Sequence, residues 1–135
     1  MPYFDKHFTL EEANALLPRI REIFKQVQAL IAQGLKAGKV EGVKTRVQLV
    51  GRGRRNGHAK KSSPSVEEIR SRINALLSEI TDQGIVIQDV QRGLIDFPCF
   101  LNEHEVFLCY EVNDGETIQF WHAIDAGYAG RTPIA

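Results

Sequence analysis

Asp96, Glu111, His122 and Asp125 have the side chains that could hold a metal ion or move protons. Histidine nitrogen is a common metal donor, and paired carboxylates raise one another's proton affinity. A second set, Trp121, His122, Asp125, Tyr128 and Arg131, brings aromatic groups, a ring nitrogen and a cation close to Gly127 and Gly130. Backbone N–H groups at such glycines, beside an arginine, suit a carboxylate or phosphate. The competing reading pairs Arg131 with an acid such as Asp96 or Asp125 and locks the tail onto a sheet. The lock is favoured, because an unpaired buried charge is costly. No spacing approaches a specific ligand motif, so no cofactor or metal is expected, with His122 and Asp125 the metal candidates kept. Ser71 and Ser78 sit in a helical stretch without a nucleophile elbow, so nucleophilic catalysis has no support.

The elements that position these groups follow from periodicity. Thr9 and Glu12 form a capping box that starts a helix. Pro18 cannot donate to the preceding turn and marks a kink or a new start, so a short leading helix is expected. Leu16, Ile20, Ile23, Phe24, Val27, Leu30 and Ile31 then recur at helical spacing to about Leu35. Ser65 and Glu68 make a second capping box, followed by the stripe Val66, Ile69, Ile73, Leu76, Leu77 and Ile80 and a stop at Gly84. Two such stripes around a connector predict an antiparallel helical hairpin. From Ile85 the pattern is extended, with strands at Ile85–Ile87, Leu94–Leu101, Glu105–Val112 and Thr117–Ile124. Val47, Leu49 and Val50 suggest a short strand or helical turn inside the connector.

A trial register tests whether the polar groups converge. Asp114-Gly115 as a two-residue loop sets Cys109 opposite Phe120, Phe107 opposite His122 and Leu108 opposite Trp121. Glu103-His104 as the preceding loop sets Asp96 opposite Glu111. His122 then lies about 13 Å along the strand from the Glu111 row, so the four groups do not act together. Both faces carry large apolar side chains, so the second face needs cover from helix one, the C-terminal tail or another subunit, with a homodimer preferred. Trp121 and Tyr110 read as core aromatics.

The formal net charge is zero, from 17 Lys and Arg against 17 Asp and Glu, which excludes a wholly basic nucleic-acid domain. The total hides a division. Residues 36–61 carry nine Lys or Arg and one acid, Glu41, whereas Gly93 to Gly130 carries seven acids and no Lys or Arg. Arg52, Arg54, Arg55, Lys60 and Lys61 are therefore the candidate nucleic-acid contacts, through non-specific phosphate binding. A solvated connector is the favoured reading of that segment, which lacks aromatics. At 135 residues, the chain is the size of one domain. No apolar run approaches a membrane span, and the first residues have no signal-peptide pattern, so a cytoplasmic protein is expected. Cys99 and Cys109 lack C-x-x-C spacing and read as two buried thiols.

Four segments stand out, Phe8-Thr-Leu-Glu-Glu-Ala-Asn-Ala-Leu-Leu-Pro18, Gly93-Leu-Ile-Asp-Phe-Pro98, Trp121-His122 and Gly127-Tyr-Ala-Gly-Arg-Thr-Pro-Ile134. Together they resemble, over essentially the whole chain, an uncharacterised bacterial family known as domain of unknown function 2203. The resemblance implies a small cytosolic bacterial protein with paired helices and a compact β region, and it carries no activity, substrate or catalytic residue. The stretch around Gly51–Lys61 resembles the family's variable connection.

The expected fold is α+β. An N-terminal antiparallel helical hairpin (about 9–84, with a short leading helix and a basic flexible connector at 36–63) packs on a three- to four-stranded antiparallel meander (about 85–126). A tail, 127–135, completes a single domain. The expected function is a small non-catalytic interaction or regulatory domain acting as a homodimer. The alternatives are nucleic-acid or anion binding through residues 51–61, and a ligand or metal site near His122, Asp125, Tyr128 and Arg131.

Overall fold

A computed structural model describes residues 2–36, 40–41, 48–49 and 65–134. Its first helix, α1, runs from Leu10 to Lys36. The Thr9 hydroxyl accepts from the Glu12 N–H and the Glu12 carboxylate from the Thr9 N–H, both at 3.0 Å, so the expected capping box starts it. Of the two outcomes expected at Pro18, the new start does not occur: Pro18 lies inside α1, and among the described residues there is no separate leading helix. An interior proline costs a helix about 3 kcal/mol. Here it is exposed, while Leu17 and Ile20 beside it are buried, so packing on the inner side carries the helix through.

The second helix, α2, spans Val66–Thr81 and opens with the Ser65/Glu68 capping box. A bidentate ion pair from Arg19, early in α1, to Glu79, late in α2, fits an antiparallel hairpin. Two short strands in the connector pair with each other, β1 (Val40–Glu41) and β2 (Gln48–Leu49). Arg52, Arg54, Arg55, Lys60 and Lys61 lie outside the described residues.

After the left-handed turn at Gly84 come β3 (Val86–Asp89), β4 (Leu94–Leu101), β5 (His104–Glu111), β6 (Phe120–Ala123) and β7 (Thr132–Pro133). They form one antiparallel sheet in that order. The strand count is thus five, because the tail adds β7 alongside β6. At Gly93 (φ 63°), between β3 and β4, a side chain would collide with Val112, so the turn requires glycine.

Two turns differ from expectation. The two-residue turn between β4 and β5 is Asn102-Glu103, both at positive φ (51° and 70°), and not Glu103-His104. Asp114-Gly115 is not a two-residue hairpin loop. Val112–Asp114 form a 3-10 turn within a longer connection, anchored where the Tyr110 hydroxyl donates to the Gly115 carbonyl at 2.6 Å. That connection is symmetric about the expected loop. The expected β5/β6 pairs, Cys109 with Phe120, Phe107 with His122 and Leu108 with Trp121, therefore hold.

The core lies between the helices and one sheet face. Leu17, Ile20, Phe24, Val27, Ile69, Ile73 and Ile80 pack with Ile95, Phe97, Leu108 and Tyr110. The Asn14 side chain accepts from the Ile118 N–H at 2.8 Å and ties α1 to the approach to β6.

Candidate functional site

The opposite sheet face holds the chemistry. Strand alternation directs Leu94, Asp96, Pro98 and Phe100 of β4 away from the helices, with Glu111, Cys109, Phe107 and Glu105 as their partners on β5 and Phe120 and His122 on β6. Asp96 lies opposite Cys109, not opposite Glu111 as expected. The one-residue difference in the β4–β5 turn moves the pairing by two residues, which keeps the face and shifts the row. Asp96 is thereby carried toward His122, and the expected separation of the two is overturned.

Asp96, Cys109 and His122 are 1%, 1% and 2% exposed, and their ligating atoms lie within 4.8 Å of one another. The His122 Nε2 is 3.0 Å from Asp96 Oδ1, and its Nδ1 is 2.8 Å from the Ala123 carbonyl oxygen. Gln88 of β3 donates through Nε2 to the other Asp96 oxygen at 3.0 Å. Burial pushes the Cys109 thiol up to about 12, and the Asp96 carboxylate adds to the shift while Arg131 opposes it. Cys109 is therefore a protonated thiol at neutral pH and no free nucleophile.

Arg131 takes the tail-lock arrangement, with a partner other than the two expected. Its guanidinium donates to both oxygens of Asp114 at 3.0 and 3.1 Å and lies 3.8 Å from the centre of the Phe120 ring. Burial disfavours its charge, but Asp114, with Cys109 and Tyr128 adding to it, more than compensates and holds its pKa above the ordinary value. Tyr128 lies 4.5 Å from Arg131 and 4.3 Å from Arg92. Arg92 in turn makes a bidentate pair with Glu111, which holds that carboxylate below its ordinary pKa.

The expected five-residue site does not assemble as a unit. Trp121 points to the helix side, opposite Leu108, and packs against the core. Asp125 is exposed and is not the partner of His122. His122, Tyr128 and Arg131 do serve the same face, with Cys109, Gln88, Arg92 and Asp114 as groups that sequence reasoning missed. The symmetry of two eight-residue runs about Asn102-Glu103 was the signal that would have placed Asp96 beside Cys109.

Beyond the cluster, the N-terminal segment covers the face. Glu105 accepts from the Tyr3 N–H at 2.7 Å and the Phe4 N–H at 3.0 Å, and it pairs with His7 at 2.7 Å. Burial would raise its pKa, but these three contacts together hold it below the ordinary value. The Phe4 and Phe107 ring centres are 5.3 Å apart, and His7 stacks on Phe100 at 4.1 Å. The N-terminal segment and the C-terminal tail therefore do the covering for which a second subunit was preferred.

Where the N-terminal segment crosses to the helix side, an apolar groove of about 310 Å³ opens between Phe8, Leu10, Cys99, Phe100, Leu108 and Ile134. A shallower recess of about 450 Å³ lies on the first turns of α2, along Ser65, Glu68 and Arg72, apart from the cluster.

A family described as an uncharacterized conserved protein, domain of unknown function 2203, matches residues 6–134. Comparison with curated proteins and with solved structures gives no match. No helix among the described residues is long and apolar enough to cross a membrane.

Proposed function

We propose a function from the premise that the chain belongs to the family domain of unknown function 2203, whose model covers nearly all of it. The protein is a small non-catalytic interaction or regulatory domain that acts as a homodimer. The observation that carries this reading is a division of the surface. The acids of the polar face are matched internally, Asp96 with His122, Glu105 with His7, Glu111 with Arg92 and Asp114 with Arg131, whereas the open groove is apolar. Substrate chemistry needs polar groups free to meet a ligand; docking needs an accessible apolar surface. Phe100 and Leu10, at 48% and 36% exposed, edge that surface.

A second copy is the occupant that charge supports. Residues 36–61 carry a net charge of +8, while Glu103, Glu116 and Asp125 are exposed acids outside those internal pairs, so one copy offers what the other attracts. Two buried free thiols, Cys99 and Cys109, fit a reducing cytoplasm, and a bacterial source belongs to the same proposal.

Light scattering tests it. The expected mass is about twice 15.2 kDa, falling to the monomer in Phe100→Asp; a monodisperse wild-type monomer would overturn the dimer. Replacing Arg52, Arg54, Arg55, Lys60 and Lys61 by Gln should weaken the dimer at low salt. The second reading, nucleic-acid or anion binding through those five residues, rests on the same charge pattern. It predicts low-salt retention on immobilised DNA that this variant loses.

A further inference from the structure

Asp96, Cys109 and His122 come from three neighbouring strands, β4, β5 and β6, and present an oxygen, a sulfur and a nitrogen to one buried point. The His122 ring is aimed by its surroundings. Nδ1 faces the Ala123 carbonyl at 2.8 Å, an arrangement that places the ring proton on Nδ1 and turns the Nε2 lone pair inward. Nε2 then confronts a carboxylate oxygen at 3.0 Å. Two acceptors at that distance repel unless something positive lies between them, either a proton or a metal cation.

The remaining contacts hold the outer atoms of these side chains in place. Gln88 occupies the outer oxygen of Asp96 and leaves Oδ1 directed at the ring. A carbonyl holding the far nitrogen of a histidine and an amide holding the far oxygen of a carboxylate are the usual supports of metal ligands. An ion bound at the usual lengths for nitrogen, oxygen and sulfur holds its ligand atoms roughly 3.3–3.7 Å apart. The cluster brackets that spacing, from 3.0 Å to at most 4.8 Å.

We propose that Asp96, Cys109 and His122 form a buried site for a borderline-soft divalent cation of the zinc class. Sulfur and nitrogen donors exclude calcium and magnesium, which take oxygen ligands. Charge is balanced, since one carboxylate and one thiolate neutralise a divalent ion while Arg131 is already matched by Asp114. On binding, two protons leave to solvent, that of the Cys109 thiol and the one shared by Nε2 and Oδ1, and the cation takes the place between the three donors. Three protein donors leave one position of a tetrahedral ion for a water. The site staples three strands and does not depend on the dimer.

Cobalt(II) is the probe. Metal-stripped, untagged wild-type protein titrated with Co²⁺ should take up one equivalent, develop thiolate-to-cobalt absorption in the near ultraviolet, and release the cobalt to one equivalent of Zn²⁺. Cys109→Ala should lose the thiolate band, His122→Gln should weaken uptake at least tenfold, and Cys99→Ala should behave as wild type. Circular dichroism establishes that each variant is folded. Should Cys109→Ala or His122→Gln fail to fold, the wild-type titration and Cys99→Ala still decide. Folded wild-type protein that binds no Co²⁺, binds it without a thiolate band, or loses the band in Cys99→Ala overturns the proposal.

Discussion

On β4, Ile95, Phe97 and Cys99 point toward the helices, while Asp96 and Pro98 between them point to the other side, and both sets are buried. The helix face is buried by α1 and α2 with apolar side chains that fit in many small contacts. The polar face is buried by two short pieces of chain. Glu105 holds the N-terminal segment, and Asp114 with Phe120 holds Arg131 of the tail. Burial of the first kind is worth free energy in proportion to area, whereas burial of the second kind returns a profit only if each polar group keeps its partner. One face therefore supplies stability, and the other fixes a particular arrangement of charged groups.

Breaking the helix face should have the largest effect. Phe97 is fully buried against Phe8 and the helices, and Phe97→Ala should cost about 3–5 kcal/mol in urea denaturation. A loss below 1 kcal/mol would mean that this face is not the main source of stability. Arg131→Gln acts on the polar face, removing two charge-assisted hydrogen bonds and leaving Asp114 without its cation. The expected cost is about 2 kcal/mol, seen as a lower urea midpoint with an unchanged slope. A cost equal to that of Phe97→Ala would erase the distinction between the faces.

The smallest effect is the one that pH controls. Glu105 has its folded pKa held below the ordinary 4.5. Its contribution is therefore complete above the unfolded value and is lost as pH falls below about 4.5 through the depressed folded value. Unfolding midpoints measured from pH 7 to pH 3 should stay level for this group down to about pH 5 and then decline. Glu105→Gln should make that decline shallower; an unchanged profile would assign the acid sensitivity elsewhere, with Glu111 the next carboxylate to test.

Local signals in the sequence located the elements well. Both capping boxes form as read, and β4 begins at Leu94 and ends at Leu101 as expected. These depend on neighbours a few residues apart; the Cys109–Phe120 register holds because the longer connection is centred on the expected loop. Pro18 misled because its local penalty is outweighed by Leu17 and Ile20, which are buried by distant parts of the chain. The cluster was illegible for a related reason. The β4–β5 turn adopts left-handed backbone at Asn102 and Glu103, and Glu103 offers no signal for it. Shifting that turn by one residue moved Asp96 two places and hid its meeting with His122. Sequence also could not show Thr132–Pro133 as a strand, because the segment pairs with β6 over only two residues.

The way the polar face is closed also sets how it opens. The segments over it, residues 3–7 and 128–133, rest on a few hydrogen bonds, ion pairs and ring contacts, whereas α1 and α2 are held by the whole core. Sub-global opening favours the least anchored pieces, so these two segments lift at a lower free energy than global unfolding requires. Solvent or an ion reaches Cys109 and His122 by that partial opening, with the helix pair still folded. Exchange of the cluster with its surroundings is thus governed by how often two short segments detach, and the lifetime of the core does not limit it.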